Sequence, residues 1–409
     1  MRNIRGLFDD LITAIREDQA LMAAVGATGG VVLAVVLERA GGDVDPESFT
    51  VTVDQARTSL LSSLALVFTG LSIVLALTAL TTQNMANKFS PRLLRMKLRG
   101  SGNKSMLAVF ALTASFIISS QILLRTRPGD SLAPEPTMAA SVALLVITGV
   151  VIIWYINGTI QSLRVDRTIA WIGHHIVQAA DAHQRSCRND EVVEEPDIDR
   201  PDGATDLIAA ASGYLVDVDT ECLSRLATSN RASITIDKGT GHAIVRGEPV
   251  GWLATTAPLT EQDLAAVANC LAVAEARDPD NDVAYTISVL VDVTLMALSP
   301  AVNDPHTAVE SIEMLTAVFV ELAERPLGTR VRRDADGTPV VTVREQSVAE
   351  LLDTVGRQIL LYGQEDRSVT ASLLWFAREG GRVMTVDRDR DLAKALADDI
   401  EATRAQAGG

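Results

Sequence analysis

The sequence predicts an α-helical membrane protein, with four transmembrane helices joined to a mixed α/β, mainly helical cytoplasmic domain. Three observations carry that fold class. Four windows without a charged side chain, at 19–37, 58–87, 105–124 and 136–163, each offer the roughly 20 apolar residues that cross a bilayer core. Between the second and third, the stretch 84–104 holds Lys88, Arg92, Arg95, Lys97, Arg99 and Lys104 and no acid. The charge is also divided: residues 1–159 carry 13 basic and 11 acidic side chains, whereas 160–409 carry 23 and 41. A near-neutral membrane half is therefore followed by an acidic half, which anionic lipid and nucleic acid repel. No nucleic-acid partner is expected.

At 409 residues, two or three domains are expected. The boundaries read as a four-span membrane domain over 1–165 with its basic loop at 84–104, and a helical extension with an acidic linker over 166–205. A small β-rich subdomain follows over 206–258, and a mainly helical one over 259–409. Five Lys against 31 Arg point to a GC-rich bacterial genome. The first apolar run begins late and lacks a small-residue cleavage site, so no cleavable signal peptide is expected.

Residues 1–18 form a charged lead-in with Ile4, Leu7, Phe8, Leu11 and Ile15 at helical spacing. The loop at 40–57 sets Asp43, Asp45, Glu47 and Asp54 against Arg57 alone, and the loop at 125–136 is short and mixed. Because Lys and Arg accumulate on the cytoplasmic side, the basic loop and both termini are placed inside and the protein in a bacterial inner membrane. Trp154 and Tyr155 fit an interfacial belt near the inner end of the fourth window.

Within the basic loop, Ser90-Pro91 reads as a helix start. Phe89, Leu93 and Met96 share one helical face, while Arg92, Arg95 and Arg99, with Lys88 nearby, stand elsewhere. This is the pattern of an amphipathic helix on an anionic lipid surface.

Two small or polar stripes mark the spans. Ala23, Ala27, Gly30 and Ala34 line one side of the first, with Gly26 and Gly30 at GxxxG spacing for close helix approach. In the second, Ser62, Thr69, Ser72 and Gln83 share a sector that Leu66 and Ile73 interrupt. Such a sector either lines a wet path or hydrogen-bonds a neighbouring helix, and packing is the commoner use. Four thin helices enclose little, and the small-residue stripes favour self-association into a homo-oligomer. No acid or base lies inside a span, which argues against a proton-coupled pump.

In the second half the helical pattern continues through His174 and His175 to about residue 188. The acid-rich stretch 190–206 then reads as a flexible linker. Short β pieces follow at 214–216, 233–236, 243–245 and 250–253, with a helix inserted at 220–228. A helix at 260–276 leads to the apolar pair 283–298 and 305–324. A hairpin over 330–332 and 340–343 turns at Asp336-Gly337, and helices at 348–361, 368–377 and 392–405 close the chain.

Leu298–Glu310, LSPAVNDPHTAVE, is the sharpest soluble stretch. Pro300 ends one helix, and Asp304-Pro305 starts the next with an N-cap and a proline at its first position. Read structurally this is a tight corner; read functionally, Asn303, Asp304, His306, Thr307 and Glu310 gather as ligand-binding candidates at a helix N-terminus. Capping already accounts for Asp304, which favours the corner. His174, His175 and His183 match no metal-ligand spacing, and Asp278, Asp280 and Asp282 lack the Gly and Glu of a calcium loop. Cys187, Cys222 and Cys270 are scattered and read as free thiols. No catalytic residue, metal or cofactor is assigned, and an enzyme is not expected.

Phe89-Ser-Pro-Arg-Leu-Leu94 behind four spans, His174-His175, Gly213-Tyr-Leu-Val-Asp-Val-Asp219 and Leu298-Ser-Pro-Ala-Val-Asn-Asp-Pro-His-Thr-Ala308 together resemble the bacterial membrane-protein family called domain of unknown function 2254. The resemblance runs over nearly the whole chain, and its last motif is quite specific. It implies a four-span membrane half and a cytoplasmic half, and no established reaction. Asn303 and Asp304 match the family pattern, whereas His306 stands where Phe is common. From the sequence, the leading expectation is an oligomeric pore or gated ion channel regulated by its cytoplasmic half. The other is a non-transporting scaffold or sensor that binds a partner protein or small ligand.

Overall fold

The computed structural model describes residues 19–40, 51–88, 91–98, 102–125, 132–162, 164–193, 199–258 and 260–407. The lead-in 1–18, Phe89 and Arg99 lie outside them, as do the side chains of Lys88 and Arg95. The chain forms two compact units that divide between Arg164 and Val165.

The first unit contains α1 (Gln19–Ala40), α2 (Val53–Lys88), α3 (Pro91–Leu98), α4 (Gly102–Leu124) and α5 (Glu135–Ser162). Among the described residues, three of its helices are long and apolar enough to cross a membrane: Val53–Gln83, Ser105–Leu124 and Glu135–Gln161. The first apolar window is shorter, at Met22–Leu37. Gly26 and Gly30 explain its packing. A Cβ on either would stand 2.2 Å from a carbonyl oxygen of α4, that of Ala108 or Leu112. The two backbones therefore meet at a distance only glycine permits.

Among the described residues, the buried polar side chains of this unit carry hydroxyls. Thr137, Ser141, Thr148, Tyr155 and Thr159 recur on the buried face of α5 at helical spacing. Thr148 meets Thr113 of α4 at 2.9 Å, and Tyr155 meets Thr78 of α2. The polar sector of α2 faces away from the other helices of this chain. Ser62, Thr69, Ser72 and Gln83 are all exposed on this chain, as are Leu66 (65 %) and Ile73 (53 %). Each hydroxyl is satisfied on its own helix, Ser62 by Thr58, Thr69 by Ala65 and Ser72 by Phe68. In α3, Leu93 and Met96 are buried within the unit and Arg92 is exposed, so the chain itself covers these two apolar side chains.

The second unit builds a six-stranded sheet in the order β1 (Glu191–Val192), β8 (Arg330–Arg333), β9 (Pro339–Val343), β4 (Ala232–Ile236), β6 (Pro249–Thr255), β2 (Thr205–Ile208). All its pairings are antiparallel except β4 with β9. A three-stranded sheet sets β3 (Gly213–Val218) between β5 (Ala243–Ile244) and β7 (Leu271–Ala274). The helices α7 (Thr220–Asn230) and α8 (Glu261–Asn269) belong to this layer. The rest is a helical lobe of α6 (Val165–Ser186), α9 (Val283–Ala297), α10 (Pro305–Leu322), α11 (Val348–Gly363), α12 (Arg367–Val383) and α13 (Asp387–Ala407). Phe319 of α10 and Phe376 of α12 meet edge to face at 5.2 Å in its core.

Four expectations are corrected here. The β layer is not confined to 206–258, because β4 takes its parallel neighbour from the hairpin near residue 340. The helix expected at 260–276 stops at Asn269, and Leu271–Ala274 pairs with β3, a long-range choice that overrides local propensity. The stretch 190–206 is not simply a linker: Glu191–Val192 pairs with β8, and the side chain of Asp190 is wholly buried. Cys222 and Cys270 are joined as a disulfide, while Cys187 is free. Scattered cysteines give no pairing signal in sequence; here the fold brings their Cα atoms to 5.8 Å.

Candidate functional site

The densest polar arrangement lies in the second unit, at the end of α6. This helix buries Ile169, Ile172, Ile176, Ala179, Ala180 and finally His183, a stripe with helical period whose last member is the histidine. The chain then turns, with the Asp190 N–H donating to the Cys187 carbonyl, and enters β1. Strand β8 carries Arg330 and Arg332 two residues apart, hence on one side of the pleat. Both reach Asp190, Arg332 through Nε at 2.8 Å and Arg330 through Nη1 at 3.0 Å. The Thr220 hydroxyl, in the first turn of α7, lies 3.0 Å from both oxygens of Asp190.

Arg330 also turns toward Glu345, just beyond β9, with Nη2 at 3.0 Å from Oε1. Oε2 of Glu345 lies 2.9 Å from Nε2 of His183, and Oε1 accepts from the Thr240 hydroxyl at 3.2 Å. The Arg330 side chain is 4 % exposed and that of Asp190 0 %. The network is thus largely buried, and each charge faces an opposite one. Burial by itself would discharge His183, but the Cys187 and Glu345 hydrogen bonds and the Glu345 charge push it up to about 10. Burial likewise opposes the Glu345 charge, and His183 and Arg330 overcome it, holding the carboxyl down to about 2. His183 is consequently a cation at neutral pH.

Cys187 lies 3.9 Å from His183, which places a thiol, an imidazole and a carboxylate in sequence. They do not form a nucleophilic relay. Cys187 and Glu345 approach the same ring nitrogen, Nε2, whereas a relay needs base and orienter on opposite nitrogens. Among the described residues, no group of three or more His, Cys, Asp or Glu side chains could hold a metal ion.

Glu345 also opens onto a cleft of about 920 Å³. Asp237, His242, Arg325, Arg344 and Arg388 share its walls, and Gln346 and Ser347 contribute at the start of α11. Arg325 is held by Asp181 at 2.8 Å and by Glu321 at 3.2 Å, Arg344 faces Asp237, and Arg388 faces Glu350. The cleft is therefore lined by guanidinium and carboxylate groups together, a surface suited to a polar occupant.

The sequence-derived candidates sit elsewhere. Asp304 is the N-cap of α10, accepting from the Thr307 N–H at 3.1 Å and the Thr307 hydroxyl at 2.7 Å. Those bonds hold its carboxyl below the usual range. Asn303 adopts the left-handed conformation (φ 48°) that closes the corner. The His306 side chain is 85 % exposed, with Glu310 at 3.4 Å. None of these five residues lines the 920 Å³ cleft. The network residues Asp190, Arg330, Arg332 and Glu345 escaped sequence reasoning. The one local signal is the pair Arg330 and Arg332 on alternate positions of an expected strand, and nothing in spacing connects them to residues 183 or 190.

Residues 16–378 match the family model described as a predicted membrane protein, domain of unknown function 2254, and the chain belongs to that family. An uncharacterised protein of Mycobacterium bovis is 30 % identical over 377 residues, covering 90 % of this chain and 72 % of its own length. One from Mycobacterium tuberculosis matches to the same extent, and a second from that species at 29 % identity. No solved structure matches the chain.

Proposed function

We propose that this membrane protein is a membrane-anchored sensor or scaffold, a binding protein rather than an enzyme, whose soluble unit takes a polar ligand or partner segment in the 920 Å³ cleft. One observation carries the reading. Glu345 borders the cleft and is also the carboxylate that holds His183 and Arg330. An occupant that changes the charge around Glu345 acts on the buried network, and so on the end of α6. Only two residues separate α6 from α5, an apolar helix of the first unit. The basic stretch 84–104 and the acidic loop 40–57 support an inner-membrane location with both termini and the soluble unit cytoplasmic.

Binding is tested by thermal shift of the detergent-purified full chain against a panel of nucleotides, phosphorylated metabolites and dicarboxylates. Gln346→Trp, which fills the cleft mouth, serves as the comparison. A compound that raises the melting temperature of the native chain and not of the variant supports the cleft; equal shifts in both remove it. Orientation is tested by labelling from outside the cell, where a cysteine placed at Asp45 should react and one at Gly102 should not.

A second reading, the oligomeric pore, rests on the outward line of Ser62, Thr69, Ser72 and Gln83 on α2. Copies arranged about an axis would bring these side chains to a shared path, which a single chain does not enclose. Thr69→Trp should then stop ion flux in liposomes and leave assembly intact. Normal assembly of the native protein without flux over a range of salts and voltages sinks the pore.

A further inference from the structure

The bond between Cys222 and Cys270 lies outside the cleft and has no part in the reading above. Disulfides that persist belong to oxidising compartments, whereas those in reducing compartments are transient, catalytic or redox-sensing. With the soluble unit read as cytoplasmic, a permanent bridge is out of place. A reversible one is not.

Its surroundings favour reversibility. Cys222 lies in the first turn of α7, and Cys270 follows α8 directly. Asp219 ties the two residues without the sulfur bond: its N–H donates to the Cys270 carbonyl at 3.0 Å, and its carboxylate accepts from the Cys222 N–H at 2.8 Å. The thiols of a reduced pair therefore stay near each other, and re-forming the bond needs no search through the unfolded chain. The pair also has a neighbour to act on. Thr220, two residues before Cys222 in the same turn, is the residue that bonds both oxygens of Asp190, and Asp190 holds Arg330 and Arg332.

We infer that Cys222 and Cys270 are a reversible dithiol–disulfide couple, a modification site for protein or small-molecule dithiols, and that its state sets how firmly Thr220 holds Asp190. An external thiolate attacks the sulfur of Cys222, the less buried partner, forming a mixed disulfide there while Cys270 leaves as a thiolate and takes a proton. The second thiolate of the same dithiol then attacks its own sulfur in that mixed disulfide and releases Cys222, which is protonated in turn. The protein gains two electrons and two protons, and the dithiol becomes a disulfide.

The test uses the full chain in nanodiscs, equilibrated in dithiothreitol or in glutathione disulfide. Differential alkylation read peptide by peptide keeps Cys187 apart from the pair, and hydrogen exchange is followed in the same samples. The expected result is complete, reversible interconversion of the folded protein. In the reduced form, amide exchange at 219–223 and at 330–332 should rise by about tenfold, as local opening becomes easier. Thr220→Val should keep the redox-dependent exchange at 219–223 and lose it at 330–332. Cys222→Ser with Cys270→Ser should abolish both responses. A bond that excess dithiothreitol leaves intact in the folded chain overturns the inference, as do thiols that never pair. Exchange at 330–332 that ignores the redox state, or that still follows it in Thr220→Val, overturns the coupling through Thr220.

Discussion

The two units bury polar groups by opposite means. In the membrane unit, hydroxyls such as Thr81, Thr113 and Thr148 donate to the carbonyl four residues back on their own helix, so each is satisfied before any neighbour arrives. In the second unit, Arg330 is satisfied only when Asp190 and Glu345 converge on it from 140 and 15 residues away. The first arrangement costs little to disturb, since removing a hydroxyl leaves few partners stranded. The second is a largely buried set of charges in which removing one member leaves the others short of partners. Stability in this protein should therefore be far more sensitive to the network than to the hydroxyl column, and four measurements test that contrast.

The largest effect is expected at Arg330. Arg330→Ala should destabilise the second unit by roughly 3–5 kcal/mol, because two buried carboxylates lose their shared cation. Denaturant unfolding followed by fluorescence reads this, since Trp252 is buried in the six-stranded sheet. A loss below about 1 kcal/mol, the scale of an exposed ion pair, would show that water reaches the network and would erase the contrast.

Next comes His183, through pH. Its folded pKa lies above the unfolded value of 6.5, so its stabilisation is fully present below pH 6.5 and is lost as the pH rises toward 10. Glu345 runs the other way: its stabilisation is present above pH 4.5 and is lost as the pH falls toward 2. Because the two share one interaction, it is counted once, at roughly 1.5–3 kcal/mol for a hydrogen bond between charged groups. His183→Asn should flatten the alkaline limb of the stability profile and leave the acid limb, which Arg330 still supports. An unchanged alkaline limb would place the titration elsewhere.

The corner at Asp304 sharpens the comparison within the second unit, because there a polar cluster is satisfied locally. Asp304→Ala should cost roughly 0.5–2 kcal/mol, while Asp304→Asn and Asp304→Ser stay close to the native value. If all three lose function equally with the fold intact, the negative charge itself serves a ligand, and capping does not account for the residue.

Thr113 should show the smallest effect. Thr113→Val removes the hydroxyl that meets Thr148 and should cost about 0.6 kcal/mol in steric-trapping or detergent unfolding measurements. A cost comparable with that of Arg330→Ala would mean that the column is also a cooperative network.

The sequence by itself determined what depends on short range. Charge-free runs set the apolar helices, GxxxG spacing at Gly26 and Gly30 set a close approach, and Asp304-Pro305 set a helix start. Each of these signals lies within one or two helical turns, so the local pattern and the physical cause coincide. The motifs that identified the family are of the same kind. Tertiary structure decided the rest. That Ser62 and Thr69 point away from the chain's own helices depends on which face of α2 the other helices cover, and an amphipathic pattern this weak does not specify it. That Leu271–Ala274 is a strand depends on β3 being there to pair with it. That Cys222 meets Cys270, and that Asp190 and Glu345 enclose Arg330 with His183 beside them, depends on contacts across 15 to 162 residues. Charges taken out of water must find their partners wherever the fold brings them, and spacing along the chain does not encode where that is.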